Sequence, residues 1–291
     1  KAPLAGLFFA YRTPIRWLMA QDNRQQIDYW NDRAGTTWAE LQDRLDQLLA
    51  PLSAAALAVA NVQAGEHVLD VGCGCGDTSI ELVRSGALVQ GVDVSGPMLQ
   101  RARSRSSEVE FILADAASFA GPQPYDLVFS RFGVMFFDDP VAAFCNLHRN
   151  LCPSGRLSFV CWQPPSKNPW MSVTGRAVAP FLPEPASPPD PKAPGPFAFA
   201  DDDYVTTILQ DSGFKNIQLQ SFESMLKVGN DADQAIQLQT RVGPAARVMA
   251  ELDGGTRAQA LTAGREALAE HAGNNGIELG AAVWLVSATA S

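Results

Sequence analysis

The stretch Val68-Leu-Asp-Val-Gly-Cys-Gly-Cys-Gly-Asp77 sets glycines at 72, 74 and 76 directly behind a short apolar run, and nothing else in the chain restricts the fold as strongly. Alternate glycines let the backbone turn tightly and bring bare main chain against a ligand, while a following helix presents free N–H groups. His67–Val71 is therefore expected to be a strand, with Asp77–Arg84 beginning a helix after the loop. A dinucleotide fingerprint would need its third glycine at position 77, which is Asp. That departure weakens the nicotinamide reading, although a nicotinamide-dependent oxidoreductase stays as the alternative enzyme class. Asp70 also repels a pyrophosphate and suits an ammonium group.

Strand and helix then alternate. Leu88–Val92 reads as a second strand, and Ser95 as the N-cap of a helix with Pro97 in its first turn and Arg101, Arg103 and Arg105 near its end. Val109–Leu113, Tyr125–Ser130 and Arg156–Trp162 read as strands three to five, apolar enough to be covered on both faces. Asp139 caps a helix from Pro140 to Leu151 between the last two. Parallel strands joined by crossover helices follow from this alternation. Asp93 lies 23 residues beyond Asp70, near the spacing at which a carboxylate reaches the ribose hydroxyls of an adenosine. Asp115 ends the third strand another 22 residues on, where it suits an adenine amino group.

The flanks differ in texture. From Gln25 to Ala60, the residues Ile27, Tyr29, Trp30, Trp38, Leu41, Leu45, Leu48 and Leu49 recur at helical spacing and predict a helical layer ahead of the sheet. Gln163–Ala200 holds eleven of the 20 prolines and reads as an insertion. Beyond it come a capped helix at Asp201–Gln210 and a sixth strand at Phe214–Phe222. Helices then run from Asp231 to Ala272, broken near Gly243-Pro244 and Gly254-Gly255, before the turn Gly273–Gly276 and a closing strand at Ala281–Ala288. The expected division is an N-terminal arm and helical lid at 1–60 and a ligand-binding α/β domain at 61–291, with substrate-cap insertions at about 163–200 and 231–274.

Composition narrows the partners. A net charge of -9 and a pI of about 4.8 argue against nucleic acid and anionic lipid. Five cysteines, an odd number set inside expected core elements, suit a reducing, cytoplasmic setting. No run approaches the roughly 20 apolar residues that span a bilayer, so no membrane span is expected. The apolar Leu4–Ala10, followed by Arg12, Pro14 and Arg16, is expected to be an arm packing on its own domain or on a second subunit, which makes a homodimer one expected state.

As an ordered set, LDVGCGCGDT (69–78), VDVSGPML (92–99), LADAASF (113–119), YDLVFSRFGVMFFDDP (125–140) and LCPSGRL (151–157) resemble the class I S-adenosylmethionine-dependent methyltransferases. The resemblance lies near the ubiquinone and menaquinone C-methyltransferases and bacterial small-molecule methyltransferases, and covers roughly residues 25–291. It implies an α/β, Rossmann-like, seven-stranded and mostly parallel sheet in the order 3-2-1-4-5-7-6, with the last strand antiparallel. S-adenosyl-L-methionine is the implied cofactor and S-adenosyl-L-homocysteine the product. By position, Asp70 with Gly72, Gly74 and Gly76 approaches the cofactor's amino acid part, Asp93 the ribose, and Asp115 with Ala116 the adenine, with Met98 over its face. Ser130, with Arg131 and Phe132, is implied to sit where the fourth strand faces the methionine portion and the substrate, and Tyr29, Trp38, Val94 and Met135 complete the cofactor set. Trp30, Arg131, Phe136, Trp162 and Trp170 are the implied acceptor-binding residues.

The implied sulfonium is already an activated methyl donor, so the protein's task is to align donor and nucleophile with water excluded. Aromatic side chains could line the cationic centre at about 0.5–2 kcal/mol each. A base is harder to find. His67 starts the first strand at the wrong end of the sheet, and His148 sits inside a helix; Tyr29 and His271 are left as candidate catalytic residues. Cys73 and Cys75 lack a C-x-x-C or histidine partner, and no metal is expected. The expected reaction is methyl transfer to a small, partly apolar metabolite through an O-, N- or C-nucleophile. A cofactor-binding protein without turnover is the second alternative.

Overall fold

A computed structural model of the chain describes residues 23–182, 190–243, 246, 249 and 252–291. The apolar run Leu4–Ala10 and the basic residues behind it lie outside the described residues, as does Pro244.

Two short helices, α1 (Arg24–Asn31) and α2 (Arg33–Glu40), and the longer α3 (Gln42–Ala60) precede the sheet. The periodicity of this segment extends unbroken through its length, but the backbone departs from helix at Asp32 and Leu41, so that α1 and α2 fold back over the sheet's edge. Leu45, Leu48, Leu49 and Leu52 bury one face of α3 in the core.

The sheet comprises β1 (His67–Val71), β2 (Leu88–Asp93), β3 (Glu110–Leu113), β4 (Tyr125–Arg131), β5 (Leu151–Trp162), β6 (Lys215–Gly229), a short β7 (Ala272–Gly273) and β8 (Gly276–Thr289). Its order is β3-β2-β1-β4-β5-β8-β6, with β7 paired to β8 alone. Five strands run parallel, and β8 lies antiparallel between β5 and β6. With the β7 hairpin set aside, this is the expected order.

Crossover helices α4 (Asp77–Arg84), α5 (Gly96–Arg105) and α6 (Pro140–Asn150) join the parallel strands. The caps are those the residue types call for: Ser95 Oγ accepts from Met98 N at 3.4 Å and an Asp139 carboxylate oxygen from Ala142 N at 3.0 Å. Val68, Leu69, Leu127, Val128 and Phe129 are fully buried, as strands covered on both faces must be.

The C-terminal part departs from the sequence reading. β6 runs seven residues past Phe222, and β8 begins five residues before Ala281. Glu223 and Ser224, just past the expected end of the strand, are polar, yet an antiparallel edge strand tolerates polar residues on its wet face. β5 starts at Leu151, five residues before the expected Arg156, and its first part is irregular, with a register shift against β4. In the proline-rich segment, α7 (Pro169–Val178) uses Pro169 at its first position, where no N–H is missed. Together with α9 (Ala232–Gln239) and α10 (Gly254–Ala269), it forms a helical cap over the extended β6–β8 pair, while α8 (Asp202–Asp211) packs on α6. Among the described residues no helix is long and apolar enough to cross a membrane.

Candidate active site

Parallel strands bring their carboxyl ends to one edge of the sheet, and a ligand crevice is expected there. A cleft opens at that edge, with an empty volume of about 1260 Å³ counted to its mouth. Its floor is the loop after β1, its near wall the turns after β2, β3 and β4, and its roof α1–α3 with the cap.

Gly72, Gly74 and Gly76 have φ of 67°, 55° and 81°, a region that side chains disfavour. A Cβ on Gly72 would stand 2.7 Å from Gly133 Cα, and one on Gly74 would stand 2.8 Å from the Met98 terminal methyl. Gly72 and Gly74 line the cleft, whereas Gly76 lies behind it against Phe111 and Ala102. The loop is thus a cradle of main chain that any side chain would fill.

Asp70 is fully buried beneath this cradle and does not reach the cleft wall. Its Oδ2 accepts from Thr78 Oγ1 (2.9 Å) and Ser79 Oγ (2.6 Å), while Oδ1 has no hydrogen-bond partner. Burial pushes its carboxyl up to about 6 against the lowering effect of those two hydroxyls. Asp93 does line the cleft; one oxygen accepts from Gly74 N and the other from Ser95 N, each at 2.8 Å. Burial raises its pKa as well, opposed by these amides. Two amides leave a carboxylate with further lone pairs facing the cleft. Asp115 and Ala116 lie alongside, and an Asp115 oxygen also accepts from Ala117 N at 2.9 Å.

The helical lid is fastened over these acids. Asn31 donates to Val94 O (2.7 Å) and accepts from Gly96 N (3.0 Å), while Ser95 Oγ donates to Trp30 O at 2.7 Å. Glu40 pairs with Arg241 at 2.5 Å, and Arg44 donates to Val228 O and Gln234 O, so the lid is tied to the cap as well.

The other half of the cleft is aromatic. Phe132 and Trp162 stack at 4.1 Å with their planes 3° apart, and Trp170 tilts against Trp162 at 5.1 Å. Trp30 meets Phe136 edge-on at 5.3 Å and Trp38 at 6.0 Å. Phe132 itself has φ of 62°, an uncommon conformation for a non-glycine residue. The turn that holds it is fixed by Ser130, whose hydroxyl donates to Val71 O at 2.7 Å and accepts from Gly133 N.

Of the residues singled out in the sequence, Trp38, Gly72, Gly74, Asp93, Val94, Met98, Asp115, Ala116, Phe132 and Met135 share the cleft wall with Trp30, Arg131, Phe136, Trp162 and Trp170. Ser130 acts on backbone and stays off the wall. Tyr29 is 39% exposed on α1, its ring edge-on to Trp30 at 5.3 Å, and does not line the cleft. His271 is exposed in the turn between α10 and β7, also away from it. Cys73 and Cys75 line the cleft with both thiols pushed up by burial, Cys75 to about 12, and thus protonated at neutral pH. Sequence reasoning missed Gln26, Gln42 and Met171. Gln42 carries a signal in hindsight: it is buried at the start of a helix and bonds Asp46 one turn on.

A methyltransferase domain family matches residues 68–155, the segment from β1 to the irregular part of β5. The chain is 34% identical to malonyl-[acyl-carrier protein] O-methyltransferase of Salmonella typhimurium over 178 residues, which is 58% of this chain and 68% of the relative. The chain belongs to the class I S-adenosylmethionine-dependent methyltransferases. A second relative of this methyltransferase is the demethylmenaquinone methyltransferase of Thermus thermophilus, 35% identical over 137 residues, or 44% of this chain and 62% of that one. Among solved structures, magnesium protoporphyrin IX methyltransferase from Synechocystis shares the fold with a TM-score of 0.53 and 18% identity, over 93% of this chain and 100% of the other. The nicotinamide alternative falls with this assignment, as Asp77 already suggested. S-adenosylmethionine is the cofactor of the methyltransferase, and the main-chain cradle and the carboxylates of Asp93 and Asp115 suit its cationic amino acid and adenosine parts.

Proposed function

We propose that the methyltransferase binds S-adenosylmethionine along the loops after β1, β2 and β3, and methylates a small, partly apolar acceptor held on the aromatic half of the cleft. The observation that carries this reading is the parallel Phe132–Trp162 stack, which offers a flat apolar wall in the same cleft as Asp93 and Asp115. Asp93, kept in place by two amides, would accept from the ribose hydroxyls, and Asp115 from the adenine amino group. Gly72 and Gly74 would let the amino acid part lie against main chain, with Met98 closing over the adenine.

When bound, the cofactor supplies a methyl group already activated by its sulfonium. The work left to the chain is alignment and exclusion of water. Trp30, Trp38 and Phe136 would screen the charged centre from solvent, and cation–π attraction adds about 0.5–2 kcal/mol per well-placed ring. The Asn31 fastening and the Glu40–Arg241 pair would keep that roof shut over donor and acceptor.

The test is transfer of a labelled methyl group from S-adenosylmethionine across a panel of metabolites, run beside calorimetric titration with S-adenosylmethionine and S-adenosylhomocysteine. The relatives' named acceptors, malonyl-[acyl-carrier protein] and demethylmenaquinone, belong in the panel. Saturable binding of both cofactor forms and label on a compact apolar acceptor are expected. A folded sample that binds neither, or that labels only large polar chains, would remove the proposal.

A further inference from the structure

Arg131 stands at the end of β4, in the turn that packs on the glycine cradle. Asp70 on β1 pairs with Phe129 on β4, so two residues further along, Arg131 comes level with the loop that follows β1. Its Nη1 donates to Asp77 (2.9 Å), the first residue of α4, and to Ser53 Oγ (2.7 Å) on α3. The side chain is only 12% exposed. Asp77 also lies 3.6 Å from Arg105, which is itself held by Asp46 at 2.6 Å and donates to the carbonyl of Cys75 in the glycine loop. The guanidinium is thus pinned at one corner by groups behind the cradle, while Nε and Nη2 make no hydrogen bond to the described residues.

Two features separate Arg131 from the aromatic half. Its neighbour Phe132 turns through positive φ to lie on Trp162, whereas Arg131 is held toward α3 and α4. Among the described residues lining the cleft, Arg131 carries the only positive charge, alongside the acids Asp93 and Asp115. Its charge is also felt at Asp70, where it favours the ionised form. The amino acid end of S-adenosylmethionine bears an ammonium and a carboxylate on one carbon. Acids alone would hold the first and repel the second. A planar guanidinium with a free edge suits a carboxylate better than any other side chain.

Resting on the reading of the cleft given above, the geometry points to Arg131 as the partner of the cofactor's α-carboxylate, and therefore as a cofactor-binding residue and not an acceptor-binding one. Asp77 and Ser53 are its positioning residues.

The experiment compares calorimetric affinities for S-adenosylmethionine and decarboxylated S-adenosylmethionine, which keeps the ammonium and sulfonium. The wild-type protein is expected to prefer the intact cofactor by about tenfold to a hundredfold, the range of a hydrogen bond between charged groups. Arg131→Gln should weaken only the intact form, so that the preference shrinks to near unity. Equal weakening of both forms, or a preference that survives the substitution, overturns the proposal; the first marks a merely structural role and the second a carboxylate held elsewhere. If Arg131→Gln does not fold, Arg131→Lys reads the same ratio. Lysine keeps the charge without the fork, so the preference should fall several-fold, and an unchanged ratio again overturns the assignment. A wild-type protein that binds neither form sinks the reading of the whole cleft, and is told apart from the Arg131 outcomes because it precedes any substitution.

Discussion

The two halves of the cleft are built from different materials. The cofactor half is main chain and carboxylates, supplied by three consecutive strand-to-helix turns and cross-braced by amide hydrogen bonds from Gly74 and Ser95. The acceptor half is side chains, gathered from α1, α2, the turn after β4, the end of β5 and α7. A surface made of backbone has little room to vary, because its shape is set by φ and by the absence of Cβ atoms. One made of rings can be resized by exchanging them without touching the sheet. Constant chemistry on one side and adjustable specificity on the other follow from that contrast.

The contrast breaks most sharply at Gly72. Its φ of 67° and the 2.7 Å approach of a would-be Cβ to Gly133 Cα leave no place for a methyl group. Gly72→Ala combines left-handed strain with a backbone collision, so a loss of about 3 kcal/mol, or roughly a hundredfold in cofactor affinity, is expected. Titration with S-adenosylhomocysteine measures it directly. An affinity within a few-fold of wild type would mean that the cradle yields, and that the cofactor half is not the rigid one.

Asp93→Ala comes next. It strips the acceptor from two amides and from the proposed ribose contact, and a buried donor left without a partner costs about 1–3 kcal/mol. Cofactor affinity should fall about tenfold or more, with the acceptor's KM at saturating cofactor unchanged. Trp162→Leu should do the reverse. Removing one face of the Phe132 stack forfeits about 0.5–1.5 kcal/mol of ring packing, so the acceptor's KM should rise several-fold while cofactor affinity stays within about twofold. If both substitutions moved both constants together, the two halves would be one site.

The same contrast explains what could be read from the sequence. Gly72, Gly74, Asp93 and Asp115 were legible because loop geometry demands those residue types at those spacings, and strand alternation places successive turns on one edge. Trp30, Phe136, Trp162 and Trp170 could be named as candidates, but core aromatics recur at the same spacings, and only the fold shows which of them meet. Tyr29 illustrates the cost: a one-residue step from Trp30 along α1 turns its ring out of the cleft. Gln26 and Met171 carry no signal of their own class, and Gln42 only its one-turn spacing from Asp46. The long β6–β8 pair was cut short for a related reason, since the pattern of an edge strand half in water is that of a polar loop.

The smallest expected effect concerns pH, and it sets the cofactor half against itself. Burial holds Asp70 and Asp46 up to about 6, Asp46 with a further push from Asp77, whereas an unfolded chain would release those protons near 4. Between roughly pH 4 and 6 the native state therefore binds more protons than the unfolded one, so the stability contributed by these two groups is present at the acid end and is lost as pH rises through about 6. A cationic ligand has the opposite preference, because ionised Asp70 attracts it and protonated Asp70 does not. The melting temperature of the unliganded protein should thus carry a falling contribution across this window, while the increment added by S-adenosylmethionine should grow. Asp70→Asn should flatten the cofactor increment, reduce the fall to the share of Asp46 and leave the ring-lined half indifferent, which thermal melts at pH 5 and 7, with and without cofactor, would show. An increment independent of pH in the wild-type protein would mean that Asp70 braces the loop through Thr78 and Ser79 without its charge reaching the ligand.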